Sequence, residues 1–144
     1  MTKYILPVIA SPRVRSAIND LLKQAGYDTI GAATTVNRAL KDMRNTGSIA
    51  LIVAEAPIPG ASRGGTDLYQ MTRGAKQSCV TYDPSKGYRN TPFILITHDP
   101  EKTNRKLESV SKNNWVHVLR ADSLQTTDGC QAFLDTVRAY MPVQ

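Results

Sequence analysis

The chain has 144 residues, 41% of them hydrophobic, which suits one domain around one core and is ordinary for a globular protein in water. Lysine and arginine number 18 against 12 aspartates and glutamates, a net charge of +6 that favours anionic partners by long-range attraction without naming one. No apolar run approaches the roughly 20 residues of a membrane span, and the start, Met1 to Pro7, is too short and too quickly strand-like for a secretory signal, so a cytoplasmic location is expected.

In chain order, Tyr4 to Ala10 is apolar and β-prone, and after Ser11-Pro12 the residues Val14, Ile18, Leu21, Leu22 and Ala25 fall at helical spacing. Gly26 stops that helix. Tyr27 to Ala33 reads as a second strand, and Thr34 or Thr35 can cap a helix that turns Val36, Ala39, Leu40 and Met43 inward. Ser48 to Ala54 reads as the third strand. A weaker helix from about Thr66 to Arg73 uses Leu68, Tyr69 and Met71, and Pro92 to Thr97 returns as a fourth, fully buried strand. A fourth helix from about Pro100 to Ser111, a fifth strand Trp115 to Leu119 and a last helix Asp128 to Tyr140, with Phe133, Leu134, Val137 and Met141 on its apolar side, complete the series.

Five strand and helix pairs in alternation predict one α/β domain over residues 1–144. Its parallel sheet has helices on both faces, because crossovers between parallel strands are almost always right-handed. The expected architecture is flavodoxin-like, (βα)5, with strand order 2-1-3-4-5. One connection, about 74–91, exceeds the usual length, and long connections often carry function.

Leu51-Ile52-Val53-Ala54-Glu55 is an apolar strand ending on one acid, broken at once by Ala56-Pro57-Ile58-Pro59-Gly60. The carboxyl ends of parallel strands form the crevice of such sheets, so Glu55 is a candidate site residue. The stretch resembles the end of the third strand in response-regulator receiver (CheY-like) domains, where an aspartate accepts a phosphoryl group just before a hydrophobic-Pro-Gly turn. The resemblance implies an acidic pair after the first strand, a Thr or Ser ending the fourth, a Lys ending the fifth and an aromatic residue just before that Lys. Thr97 matches the hydroxyl and Arg120 stands at the lysine position, followed by Ala121 in place of the family's proline. His117 stands at the aromatic switch. Ile9 and Ala10 occupy the positions of the acidic pair, and Ser11 adds a hydroxyl without charge. Glu55 alone supplies too little negative charge for Mg²⁺, which takes carboxylates and waters in octahedral geometry, so no metal or other cofactor is expected.

From these positions we expect a standing ion pair between Glu55 and Arg120, with the guanidinium holding the carboxylate by two hydrogen bonds. Thr97 is expected to donate its hydroxyl to the same carboxylate. The implied function is a phosphorylation-independent pseudo-receiver, not an enzyme. It would bind a protein partner through the fourth helix, fifth strand and fifth helix, or through the long connection. There Tyr82, Lys86, Tyr88 and Arg89 interleave aromatic and basic residues, a mixture that also suits single-stranded nucleic acid. Two alternatives therefore stand beside it: a basic nucleic-acid-binding module, and a receiver phosphorylated by a non-standard route. Homodimerisation through the last strands and helices stays open. Gly60 to Gly65 lacks the spacing of a nucleotide loop. Cys79 and Cys130 lack metal-ligand spacing and fit a reducing compartment, and no serine elbow supports a hydrolase.

Overall fold

The computed structural model describes residues 3–31, 33–56, 64–72, 87–88, 90–107 and 116–141. Five strands, β1 (Tyr4–Val8), β2 (Asp28–Thr29), β3 (Ile49–Glu55), β4 (Phe93–Thr97) and β5 (Val116–Arg120), form one sheet in the order β2-β1-β3-β4-β5. Every pairing is parallel. The helices are α1 (Pro12–Gln24), α2 (Val36–Asn45), α3 (Gly65–Thr72), α4 (Pro100–Leu107) and α5 (Thr127–Tyr140), with a 3-10 turn, Ala121–Gln125, between β5 and α5. The flavodoxin-like topology is as the alternating pattern predicts. No helix among the described residues is long and apolar enough to cross a membrane.

Side chains along a strand alternate between faces, and here the alternation divides the core in two. Leu6 and Val8, Ile52 and Ala54, Phe93 and Leu95 turn toward α2 and α3, meeting Val36, Ala39, Leu40, Met43, Leu68 and Met71. Ile5 and Ile9, Leu51 and Val53, Ile94 and Ile96 turn the other way, meeting Ile18 and Leu22 of α1 and Phe133 and Val137 of α5. Tyr69 of α3 meets Phe93 edge to face, ring centroids 5.3 Å apart. α4 has only Thr103 buried.

The second strand is shorter than the expected Tyr27–Ala33, and two residues explain why. Gly31 adopts φ +74°, which ends the extended run, and a Cβ there would come within 2.6 Å of Asp42 Oδ2. On β1 the residues facing this edge are Ile5, whose carbonyl accepts from Ile30 N–H, and Ile9, whose N–H donates to the Ala33 carbonyl. Pro7 lies between them on the same side and has no N–H to donate, so the ladder lapses where β2 departs and resumes only as the bridge from Val8 to Ala33. Thr35 caps α2 by accepting from Arg38 N–H.

Tyr88, read from sequence as part of an exposed interaction loop, is buried in the α2/α3 layer of the core. Its hydroxyl donates to the carbonyl of Met43 at 2.8 Å and also meets that of Thr46, two groups at the C-terminal end of α2 that helix geometry leaves without partners. An apolar ring with one polar tip suits that place. Tyr82, Lys86 and Arg89 lie outside the described residues. Tyr88→Phe keeps the ring and strands the carbonyls, so it should lower unfolding free energy by about 1–3 kcal/mol in urea titration.

At the other end of the molecule Tyr27 donates its hydroxyl to the Met141 carbonyl at 2.8 Å, tying the end of α5 to the turn after α1. Burial pushes the Tyr27 hydroxyl above its ordinary value of 10.0, with the nearby Arg138 charge pulling it back in part. A folded-state value above the unfolded one contributes stability that is complete below the unfolded value and is lost as pH rises through the folded one. Alkaline unfolding profiles should therefore fall above pH 10.0, and Tyr27→Phe should remove part of that fall.

Candidate functional site

Glu55 is the last residue of β3 and is only 3% exposed. Its Oε1 accepts hydrogen bonds from the N–H groups of Ala10, at 2.5 Å, and Ser11, at 2.8 Å, and its Oε2 accepts from the Ser11 hydroxyl at 2.6 Å. The carboxylate is thus held by the β1–α1 turn. Ser11 is the N-cap of α1, yet its side chain makes no capping bond to the helix; its hydroxyl is turned to Glu55 instead. Pro12 follows at the first helical position, where a missing N–H costs nothing. The carboxylate therefore occupies the position just ahead of the helix that both the free N–H groups and the helix dipole favour.

The positions of the acidic pair offer nothing to a divalent cation. Ile9 is packed in the core beside Ile18 and Leu22, and Ala10 contributes only its N–H, already directed at Glu55. Mg²⁺ would have to compete for one carboxylate against three donors at 2.5–2.8 Å, so this donor set does not fit the ion. Among the described residues no three His, Cys, Asp or Glu side chains stand together in a metal-binding group.

The expected ion pair between Glu55 and Arg120 is not formed. Arg120 Nε lies 3.9 Å from Asp122 Oδ2, with the arginine side chain 63% exposed. Two constraints separate the partners. β4 runs between β3 and β5, so that Glu55 is in register with Ile96 and Arg120 with Thr97. The pleat also sends them apart: Glu55 shares its face with Leu51 and Val53, toward α1 and α5, whereas Arg120 alternates with Leu119, which lies on that face, and so turns to the other. With three donors at hand, Glu55 has no need of a distant cation.

The same alternation corrects the expected bond between Thr97 and Glu55. Thr97 follows Phe93 and Leu95 onto the α3/α4 side, where its Oγ1 accepts from Asp99 N–H at 3.1 Å and lies 3.0 Å from the donating Thr103 hydroxyl. His117 is exposed on the edge strand, in register with Ile94 and on the face of Leu119. Asp122 lies 4.0 Å from His98 Nδ1 as well as near Arg120, and all three are solvent-exposed at the rim.

Thr97 and Thr103 form the floor of a cavity of about 100 Å³ between α3 and α4, whose walls include Ala56, Gly64, Thr66, Asp67, Asp99, Lys102 and Lys106. Apart from Thr97, its contributors were not singled out in the sequence. Asp99 is the cap of α4, accepting from Lys102 N–H at 3.1 Å. Thr103, one turn later, is the inward residue of a helix that is otherwise charged and polar, which is the signal that could have found it. Ser11 was noticed only for the charge it lacks. Gly65 lets α3 begin against the end of β3: a Cβ there would lie 2.6 Å from the Glu55 carbonyl oxygen and 2.8 Å from Ala54 Cβ.

If the Ser11–Glu55 contact is the tie that joins β3 to the start of α1, a double-mutant cycle with Ser11→Ala and Glu55→Gln should give a coupling energy of about 1–2 kcal/mol in chemical denaturation. Additive losses would show that the tie is not made in solution.

The fold matches that of receiver domains. No family model matches the chain, and no curated protein matches its sequence. Among solved structures, the chemotaxis protein CheY4 of Vibrio cholerae superposes with a TM-score of 0.69 at 17% identity, covering 98% of this chain and 100% of its own. The response regulator TrrA of Thermotoga maritima, solved in complex with Mg²⁺ and BeF, gives 0.66 at 18% identity, covering 97% and 100%. The receiver domain of the hybrid histidine kinase CckA gives 0.63 at 20% identity, covering 96% and 98%.

Proposed function

We propose that this chain is a phosphorylation-independent signalling module on the receiver fold, acting by binding a protein partner and not by turnover. The observation that carries the reading is the engagement of Glu55. The carboxylate at the phosphoacceptor position accepts three hydrogen bonds from Ala10 and Ser11, and the neighbouring positions that would hold a divalent cation are filled by Ile9 and Ala10. Phosphoryl transfer to an acyl oxygen needs the carboxylate oxygen free for in-line attack and the transferred charge neutralised by a metal or cation. Here the nucleophile is occupied and Arg120, the cation at the lysine position, turns to Asp122.

The surface we assign to the partner is formed by α4, β5 and α5. Among the described residues β5 is an edge strand, with one side of its backbone unpaired by any of them and His117 and Arg120 exposed on it. α4 presents Lys102, Arg105 and Lys106 to solvent. These charges favour a partner with acidic groups and raise its association rate more than its final affinity. A nucleic-acid partner draws on the same charges, but burial of Tyr88 removes one of the aromatic residues on which a base would stack. Binding through phosphate contacts would weaken steeply with salt, with a log-log slope growing by roughly one per contact.

Incubation of the pure protein with Mg²⁺ and a small-molecule phosphodonor should leave its intact mass unchanged, and Glu55→Asp should behave the same, because shortening the side chain does not restore the missing acids. A stoichiometric acid-stable or acyl phosphate on the wild-type chain would overturn the reading.

A further inference from the structure

At the floor of the cavity between α3 and α4, one hydrogen-bond donor is left over. Thr97 and Thr103 are 2% and 4% exposed, and their hydroxyls, 3.0 Å apart, share one hydrogen bond. Each hydroxyl carries one proton and accepts at its lone pairs. Two protons and one shared bond leave one proton over, whichever way the bond runs, and Asp99 N–H already occupies an accepting position on Thr97. No hydrogen bond among the described residues takes that proton, and both threonines line the cavity. A buried donor without an acceptor is costly, so the site favours an occupant that can accept.

The walls favour an anion. Lys102 and Lys106, four residues apart on α4, both border the cavity. α3 and α4, each of eight residues, begin at its edge, so two sets of first-turn N–H groups and two positive helix ends lie close to it. The two carboxylates that also border it are engaged as caps: Asp67 Oδ2 accepts from Gly64 N–H at 2.8 Å and Asp99 Oδ1 from Lys102 N–H at 3.1 Å. Glu55 shares the opposite face with Leu51 and Val53 and does not line the space. A volume of about 100 Å³ has room for several waters, and so for a phosphate ion or a short carboxylate.

The geometry points to a non-covalent binding site for a small oxyanion between α3 and α4, held by Lys102, Lys106 and the Thr97–Thr103 pair. The site stands whether or not Glu55 can take a phosphoryl group. Because α4 belongs to the proposed docking face, the bound oxyanion would also set that face, a consequence that rests on the reading above.

The test is a titration of the isotopically labelled full chain with inorganic phosphate, with acetate, and with chloride at matched ionic strength, followed by amide NMR. Saturable shifts at Thr66, Thr97 and Thr103 are expected with an oxyanion and not with chloride, and response to phosphate or to acetate separates the two sources. Lys102→Gln combined with Lys106→Gln, both at exposed positions, should weaken binding roughly tenfold or more. Linear shifts shared with chloride mean an adventitious ion only and overturn the proposal, as does undiminished binding by the double variant. A covalent phosphoryl adduct would instead overturn the phosphorylation-independent reading and leave this site standing.

Discussion

One carboxylate organises the crevice. Glu55 ends a strand that is buried on both faces, and a charge brought there must be matched by donors or be excluded. The match is local and complete: two backbone N–H groups and a hydroxyl from the β1–α1 turn, supplied where a helix starts and where such groups are otherwise without partners. The side chain thereby bridges β3 to α1 over 44 and 45 positions of sequence. The carboxylate is thus a structural link between the sheet and the start of α1.

The pleat of the sheet then divides the crevice into two rooms. Glu55 belongs to the layer of α1 and α5, with Leu51 and Val53. Thr97 belongs to the layer of α3 and α4, with Phe93 and Leu95. Three strand-end residues that look like one constellation in the sequence are consequently three separate environments: a buried carboxylate, a buried hydroxyl pair over a small cavity, and an exposed arginine paired with Asp122. An exposed pair such as Arg120 and Asp122 contributes little to stability, about 0–1 kcal/mol. The buried tie and the threonine pair are where substitution would be felt.

The fold was legible because its signals are periodic and local. Alternating apolar runs, helical spacing in α1 and α2, and the cap at Thr35 point to the same five units, and crossover handedness leaves few ways to order them. The second strand was overestimated because Tyr27 to Ala33 is apolar enough for a strand, while the obstacles sit partly elsewhere, in the missing N–H of Pro7 and the space Asp42 takes beside Gly31. Tyr88 was misread for a similar reason. A tyrosine among basic and turn-forming residues looks exposed until the carbonyls at the end of α2 are placed beside it.

From the sequence alone followed the parallel α/β topology, the place of Glu55, Thr97 and Arg120 at strand ends, and the uncharged residues Ile9 and Ala10 after the first strand, since each depends on residue type and short-range order. Which of those residues meet was decided by tertiary structure. Contact between strand ends depends on the side of the pleat each side chain takes and on which loop offers donors within about 3 Å, and Glu55 found Ser11 because the β1–α1 turn arrives beside it with unpaired N–H groups while Arg120 stands two strands away on the other face.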